Sequence, residues 1–430
     1  MNIKEFNDIC NTLKEIITGS IFENHIFCVG GCCRDEILGY EIKDIDIAVD
    51  LPNGGIDFAN WLFENKFLSR IPVTYPTYST AQFHLSKFPD LELEAVQTRK
   101  EKYEDKSNRN PTTAYGSIKE DCLRRDLTIN SLYKNVSTGE FLDITGFAFQ
   151  DIKDKVIRTP VNPDETFDDD PLRMLRCIRF ASRYNWEISN ETWNGIIKNV
   201  DRLEIITRER VCDEFNKMLK CNHLSYAISM LYESGLYKHV IGDIGYDFQY
   251  KKIISTIDRL DTNDYLLRLS YILLNVIDSP NDVISIMTRL KYSNNEIKTV
   301  HKYVSIVNDW NVYIKDEHID KWSRKQQYIC KTKEVFDNCL KLFTLDSYKP
   351  EIEYHLKKNE DCCFFNYVLP VNGNDVMNIL VIKPGPKIKE CLDKLLDFVF
   401  LYPEFANNKD YLINQLKIMQ RIDFDKYTNG

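Results

Sequence analysis

The spacing of apolar residues changes character part-way along the 430-residue chain. Up to residue 145 the apolar runs are short and often alternate with polar positions, the two-residue period of half-buried strands. Ile26–Val29 predicts a buried strand, followed by a glycine turn and a helix around Arg34–Leu38. Further strands are expected over Asp44–Val49, Ser79–Leu85 and Leu91–Thr98. Before them, Met1–Ser20 interleaves Lys4, Glu5, Asp8, Lys14 and Glu15 with apolar residues, as an amphipathic helix does. The polar stretch Lys100–Asp121, carrying Asn108, Asn110, Pro111 and Gly116, reads as a mobile loop. From Pro171 onward the pattern is helical almost to the end, with breaks near Val240–Asp247, Asp278–Asn281, Tyr348–Pro350 and Val371–Asn374. The expected fold is α+β. A head (1–145) with a mixed or antiparallel sheet precedes an all-helical neck (146–220), body (221–345) and tail (346–430).

Composition narrows this picture without naming a function. Hydrophobic residues make up 43% of the chain and charged ones 28%, ordinary for a soluble globular protein. No apolar run approaches the roughly 18 residues of a membrane span, and charged Met1–Ser20 suits an amphipathic helix rather than a secretory signal, so a cytoplasmic protein with no membrane partner is expected. The net charge of −9 counts mildly against nucleic acid. Local basic stripes at Arg99–Arg109, Arg173–Arg179 and Arg289–Lys333 still permit an RNA partner. Thirteen scattered cysteines, odd in number and without a C-x-x-C pair, predict reduced and mostly buried thiols and no zinc site.

Chemistry concentrates in two places. Gly30-Gly31 follows a strand and opens a helix, where backbone can approach a ligand and free N–H groups can meet phosphate. Asp44 and Asp46, two apart on an expected strand, point to one face. Two adjacent carboxylates repel unless a cation lies between them, and their hard oxygens suit Mg²⁺. Glu92 and Glu94 share a face of the Leu91–Thr98 strand, and Glu94 is the candidate third carboxylate. The second place is Asp169-Asp170-Pro171-Leu172-Arg173, which reads as a capped helix start. Asp170 and Arg173, three apart, share a helical face. One only accepts hydrogen bonds and the other only donates. Cytosine and adenine each present an amine beside a ring acceptor, which suits such a pair. Uracil and guanine present the reverse order, a mismatch worth roughly 1–3 kcal/mol per group.

These residues resemble a known family. The pattern GGxxRD…DxD is similar to the head of the DNA polymerase β nucleotidyltransferase superfamily, in the branch of class II CCA-adding enzymes and bacterial poly(A) polymerases. Arg124-Arg125-Asp126…Asn130 resembles its RRDxxxN motif, and Asp143…Gly146…Asp151…Arg158 its D…G…D…IR element. Asp169-Asp170…Arg173, Arg176 and Arg179 resemble (E/D)DxxRxxRxxRF, with aspartate at 169 where glutamate is usual. Glu209-Arg210…Glu214 resembles the ERxxxE neck motif.

The resemblance implies Mg²⁺-dependent addition of C, C and A to the 3′ end of tRNA from CTP and ATP, with release of pyrophosphate. It assigns Asp44 and Asp46 to metal and catalysis, with Glu94 beside them. Nucleotide binding falls to Gly30, Gly31, Arg34, Asp35, Arg124, Arg125, Asp126, Asn130, Asp169, Asp170, Arg173, Arg176 and Arg179. Glu209, Arg210 and Glu214 would support the neck, and the 100–121 segment matches an element used in switching from C to A. Leu369–Met377 and Ile382–Ile388 resemble the GxDLM…GxxPGPxIG tail of CCA-adding enzymes, and no long basic extension follows, which favours CCA addition over poly(A) synthesis or partial CC or A addition. Leu267–Val276 lacks the His-Asp pair of the phosphohydrolase module in some bacterial relatives, so no such activity is expected.

Overall fold

The computed structural model describes residues 1–102, 112–242, 247–313, 319–345 and 364–428. They form two compact units, residues 1–254 with 289–291 and residues 255–288 with 292–430.

The first unit opens with α1 (Ile3–Ile17), started by a reciprocal Asn2–Glu5 capping box and burying Phe6, Ile9, Cys10, Leu13 and Ile17. Then come β1 (Ile26–Val29), α2 (Gly31–Leu38), β2 (Asp46–Val49), α3 (Gly54–Glu64), β3 (Val73–Tyr75), β4 (Thr80–Phe83) and β5 (Leu93–Gln97). After β6 (Arg99–Lys102), β7 (Thr112–Tyr115) and α4 (Ile118–Leu123), β8 (Leu132–Asn135) and β9 (Phe141–Asp143) complete the head. Seven strands make one sheet in the order β3-β4-β5-β2-β1-β8-β9. It is mixed: β2 and β5 run parallel and the other neighbours antiparallel. The register sets Asp46 beside Val29 on one side and Glu94 on the other. Phe27, Val29, Ala48, Cys122 and Tyr133 pack on that face.

The expected loop at Lys100–Asp121 is largely ordered where it is described. β6 and β7 pair as an antiparallel ribbon, and a Ser117–Glu120 capping box starts α4. The segment looked like a loop because ion pairs hold it where apolar burial usually would: Arg99 and Arg124 both reach Glu101, at 3.0 Å. Residues 103–111 of that segment lie outside the described residues, as do 314–318 of the Arg289–Lys333 stripe.

The neck continues with α5 (Ala148–Asp154), β10 (Val156–Ile157), α6 (Pro163–Asp169), α7 (Leu172–Tyr184), β11 (Glu187–Ile188), α8 (Asn190–Asn199), α9 (Arg208–Leu219) and α10 (Leu224–Ser234). It is not all-helical, because β10 and β11 pair in parallel. Their apolar stretch is too short to show a strand period. The start of α7 follows expectation: the Asp170 side chain accepts from the Leu172 N–H at 3.1 Å across Pro171.

The second unit is helical. Trp310, on the helix Asn294–Tyr313, packs edge-on against Trp322 and Phe343 and donates to Gln326 at 2.8 Å. Val376, Leu380, Leu395, Val399, Leu412 and Leu416 form a further core among the last three helices. Gly373–Leu380 is capped by Asn372, with Asp375 returning the bond and also pairing with Lys409 at 3.0 Å. The Asn374 backbone N–H also donates to the Asn372 side chain, at 2.9 Å. No helix among the described residues is long and apolar enough to cross a membrane.

Candidate active site

Alternation places the carboxylates. Ile45 and Ile47 are buried while Asp44 and Asp46 are exposed, so the predicted shared face holds although regular pairing begins at Asp46. Glu94, opposite Asp46 on the neighbouring strand, is exposed as well. Among the described residues no basic side chain is ion-paired to any of the three. Asp46 keeps solvent access, yet the crowded site partly desolvates it. That desolvation, followed by Cys32, Glu94 and Asp44, holds its carboxyl up at about 6, with Arg125 pulling the other way. Among the described residues no three His, Cys, Asp or Glu side chains close a metal cage. The donor set is an open, negatively charged pair of hard oxygens. It fits a Mg²⁺-like cation that takes its remaining ligands from water and substrate phosphates.

The glycine turn is fitted to an arginine. Gly30 has φ +72°, and a Cβ there would lie 3.2 Å from Arg125 Nη1. Arg125 in turn donates to Tyr133 Oη and Asp121 Oδ2, each at 3.1 Å, and its charge bears on Asp46. Arg124 holds Asp121 Oδ1 at 2.6 Å and Glu101 at 3.0 Å. Burial would raise the Asp121 carboxyl, but Arg125 and Arg124 outweigh it and leave it at about 2. Asp121 was missed as a site residue. Its spacing of three and four from the two arginines, on a helix and its C-terminal turn, was the available signal.

Arg34 and Asp35 are buried and bonded to each other at 2.9 Å. Arg34 also donates to Asn130 and lies against the Phe180 and Tyr184 rings, so the pair ties α2 to α7. Asp143 and Asp151 are likewise engaged internally, the first with Thr145 at 2.6 Å and the second with Arg158 at 3.1 Å.

On α7, three arginines sit three residues apart. Arg176 clasps Asp126 Oδ2 at 2.7 Å, and Asn130 donates to the other oxygen at 3.1 Å. Burial pushes Asp126 up, but Arg176 and Asn130 dominate and its carboxyl stays at about 2. Arg179 donates to Glu214 at 2.6 Å, and Arg176 lies 3.5 Å from the same carboxylate. The Arg173 guanidinium is held by the carbonyls of Thr166 at 3.3 Å and Arg124 at 2.6 Å. Asp169 stands 3.9 Å away, its carboxyl raised by burial. Asp170 Oδ2 accepts from Arg210 at 2.6 Å. Asp170 and Arg173 thus border the same space without bonding through their side chains. Glu209 lies exposed in the first turn of α9, with no bond to this network among the described residues.

A cavity of about 400 Å³ collects these groups. Arg124, Arg125, Asp126, Asp170, Arg173, Arg176 and Arg210 all line it. Glu214 lines it too, as do Asp213 and Lys217, which the motifs did not single out, making six cationic and four acidic side chains. That surplus suits a polyphosphate. Arg125 joins the cavity to the carboxylates. The remaining candidates, Gly30, Gly31, Arg34, Asp35, Asn130, Asp169 and Arg179, are not among its lining residues.

Comparison with known proteins agrees in order along the chain. Residues 26–158 match the poly(A) polymerase head domain, 185–245 the RNA and SrmB-binding site of polymerase A, and 269–416 the tRNA nucleotidyltransferase domain 2. The chain belongs to the class II CCA-adding enzyme and poly(A) polymerase family of nucleotidyltransferases. Among its relatives, tRNA nucleotidyltransferase cca2 of Schizosaccharomyces pombe is 27% identical, over 87% of this chain and 89% of that one. A CCA-adding enzyme of Ligilactobacillus salivarius is 27% identical over 91% and 92%. A Bacillus stearothermophilus CCA-adding enzyme solved in complex with CTP has the same fold, with a TM-score of 0.73 at 20% identity over 93% of this chain and 94% of that one. As a nucleotidyltransferase of this family, the chain brings Arg124, Arg125, Asp126, Asp170, Arg173, Arg176, Arg210 and Glu214 of its motifs to one cavity, and sets Asp44 and Asp46 where β2 begins.

Proposed function

We propose that this nucleotidyltransferase adds C, C and A to the 3′ end of tRNA, using CTP and ATP and releasing pyrophosphate. The observation that carries the reading is the cavity in which Asp170 and Arg173, three apart on one helix start, face the arginines of the head. Two of Arg173's N–H groups go to backbone carbonyls among the described residues, which leaves three to donate to a base. Asp170 supplies the acceptor, so the pair matches the donor–acceptor order shared by cytosine and adenine. Arg124 and Arg125, fixed by Asp121, are positioned to hold a triphosphate, and Arg176 and Asp126 to steady the wall beside it.

Asp44 and Asp46 would hold Mg²⁺, with Glu94 supporting. Bound there, the ion would assist attack of the RNA 3′ hydroxyl and offset the charge of the departing pyrophosphate. In the same reading, residues 1–145 are catalytic, 146–220 select the nucleotide, and 221–345 and 346–430 engage the acceptor arm of tRNA. The cytoplasm is the proposed compartment, a reading supported by the free thiols of the described residues. The test is incorporation on tRNA lacking its last three nucleotides, with Mg²⁺ and each nucleoside triphosphate singly and together. Growth that stops at CCA supports the proposal. A long A tail, or incorporation of UTP and GTP at comparable rates, overturns it.

A further inference from the structure

The opposite face of the catalytic sheet carries a feature the nucleotidyl transfer does not use. Side chains alternate along β1, so Phe27 and Val29 share the face of Tyr133 and Asp46, while Cys28 turns toward α1. There it meets Cys10, the two sulfurs 3.7 Å apart. A cavity of about 220 Å³ opens onto this contact, lined by both cysteines with Asn7, Lys14 and Lys134. That is room for several solvent-sized molecules. The two thiols are not equivalent. Cys10 is 8% exposed and Cys28 fully buried. Hydrogen bonding to Cys10, then to Cys32, and then burial raise the Cys28 thiol, which keeps it protonated.

We propose that Cys10 and Cys28 are a peroxide-sensitive pair that closes into an intramolecular disulfide. In the first step the deprotonated Cys10 sulfur attacks one oxygen of hydrogen peroxide. The S–O bond forms as the O–O bond breaks, and the departing hydroxide takes up the proton that the Cys10 thiol gave up, becoming water and leaving Cys10 as a sulfenic acid. A negative sulfur formed there shares the cavity with the ammonium groups of Lys14 and Lys134. Next the Cys28 sulfur attacks the Cys10 sulfur. The S–S bond forms as the S–O bond breaks, and the hydroxide leaves with the Cys28 proton as a second water. The two thiols lose two electrons in all, and one peroxide becomes two waters. The sulfurs, already in van der Waals contact, close to about 2.05 Å.

The Cys330–Cys339 pair is an internal control. Its thiols are also hydrogen-bonded, but both residues are completely buried. The native full-length chain is treated with hydrogen peroxide, its remaining thiols are blocked with N-ethylmaleimide, and its peptides are mapped without reduction. A dominant Cys10–Cys28 linkage that dithiothreitol reverses, with Cys330–Cys339 still reduced, is expected. The proposal fails if no such linkage forms at peroxide levels that oxidise the more exposed Cys391, or if it forms no faster than a Cys330–Cys339 bond. Cys28→Ser should leave Cys10 as a sulfenic acid trapped by dimedone, and an unlabelled Cys10 overturns the order of steps. Should that variant not fold, the wild-type map alone still decides whether the pair closes.

Discussion

Two groups of carboxylates lie on either side of Arg125, and their chemistry is opposite. Asp121, Asp126 and Glu214 are buried, and arginines clasp each of them. Asp44, Asp46 and Glu94 are exposed where β2 begins beside β5 and have no basic partner among the described residues. The contrast reads out as acidity, with Asp121 and Asp126 at about 2 and Asp46 at about 6. Paired carboxylates fix the arginines that line the cavity. The unpaired ones form a negative site whose hard oxygens suit a cation. In the proposed reading, the same residue type serves architecture in one region and reaction in the other.

Substitutions should separate the two groups. The largest effect on activity is expected at Asp46: Asp46→Asn should lower nucleotide incorporation about a thousandfold. Its thermal midpoint should be at least that of wild type, since no ion pair is lost. Glu214→Ala should do the reverse. It strands Arg179 in the interior at a cost of about 3–5 kcal/mol, read as an earlier urea midpoint, and any loss of activity should follow the loss of folded protein.

Next in size is Arg173→Ala, expected to relax discrimination against UTP or GTP by roughly 10- to 100-fold, the equivalent of one or two mismatched groups. Unchanged preference would remove Arg173 from base selection.

Stability against pH offers a further contrast, with signs that follow from the shifts. Asp121 and Asp126 sit below the ordinary carboxylate range, so their contribution is complete above about 4 and disappears as pH falls toward 2. Asp46 sits above that range. The metal-free native state therefore binds the extra proton between about 4 and 6, and stability declines as pH rises through that window. Urea titrations across pH should show Asp46→Asn abolishing the decline and Asp126→Asn blunting the acid-side loss. The smallest effect is expected at Arg210, whose pair with Asp170 is partly exposed. Arg210→Ala should change stability by less than about 1 kcal/mol, and a larger change would mean that Arg210 belongs with the structural group.

How much of this was legible beforehand follows from how local each signal was. Strand β1, the Gly30 turn and the Asp44–Asp46 face were readable because alternation and glycine chemistry act within a few residues. The cap at Asp170 was readable for the same reason. The β6–β7 ribbon was not, since ion pairs to Arg124 hold it and its strands carry little apolar pattern. Nor was the burial of Arg34 and Asp35, which depends on Phe180 and Tyr184 far along the chain. Asp213 and Lys217 emerged only when the helices were placed around the cavity, whereas Asp121 was signalled by its spacing from Arg124 and Arg125.

The central claim is that the unpaired carboxylates hold a divalent cation and the paired ones do not. Manganese binding, measured by electron paramagnetic resonance on wild type, Asp46→Asn and Asp126→Asn, tests it most directly. Wild type and Asp126→Asn should bind Mn²⁺ with similar affinity above pH 6, and Asp46→Asn should bind it far more weakly. Equal binding by wild type and Asp46→Asn would contradict the account.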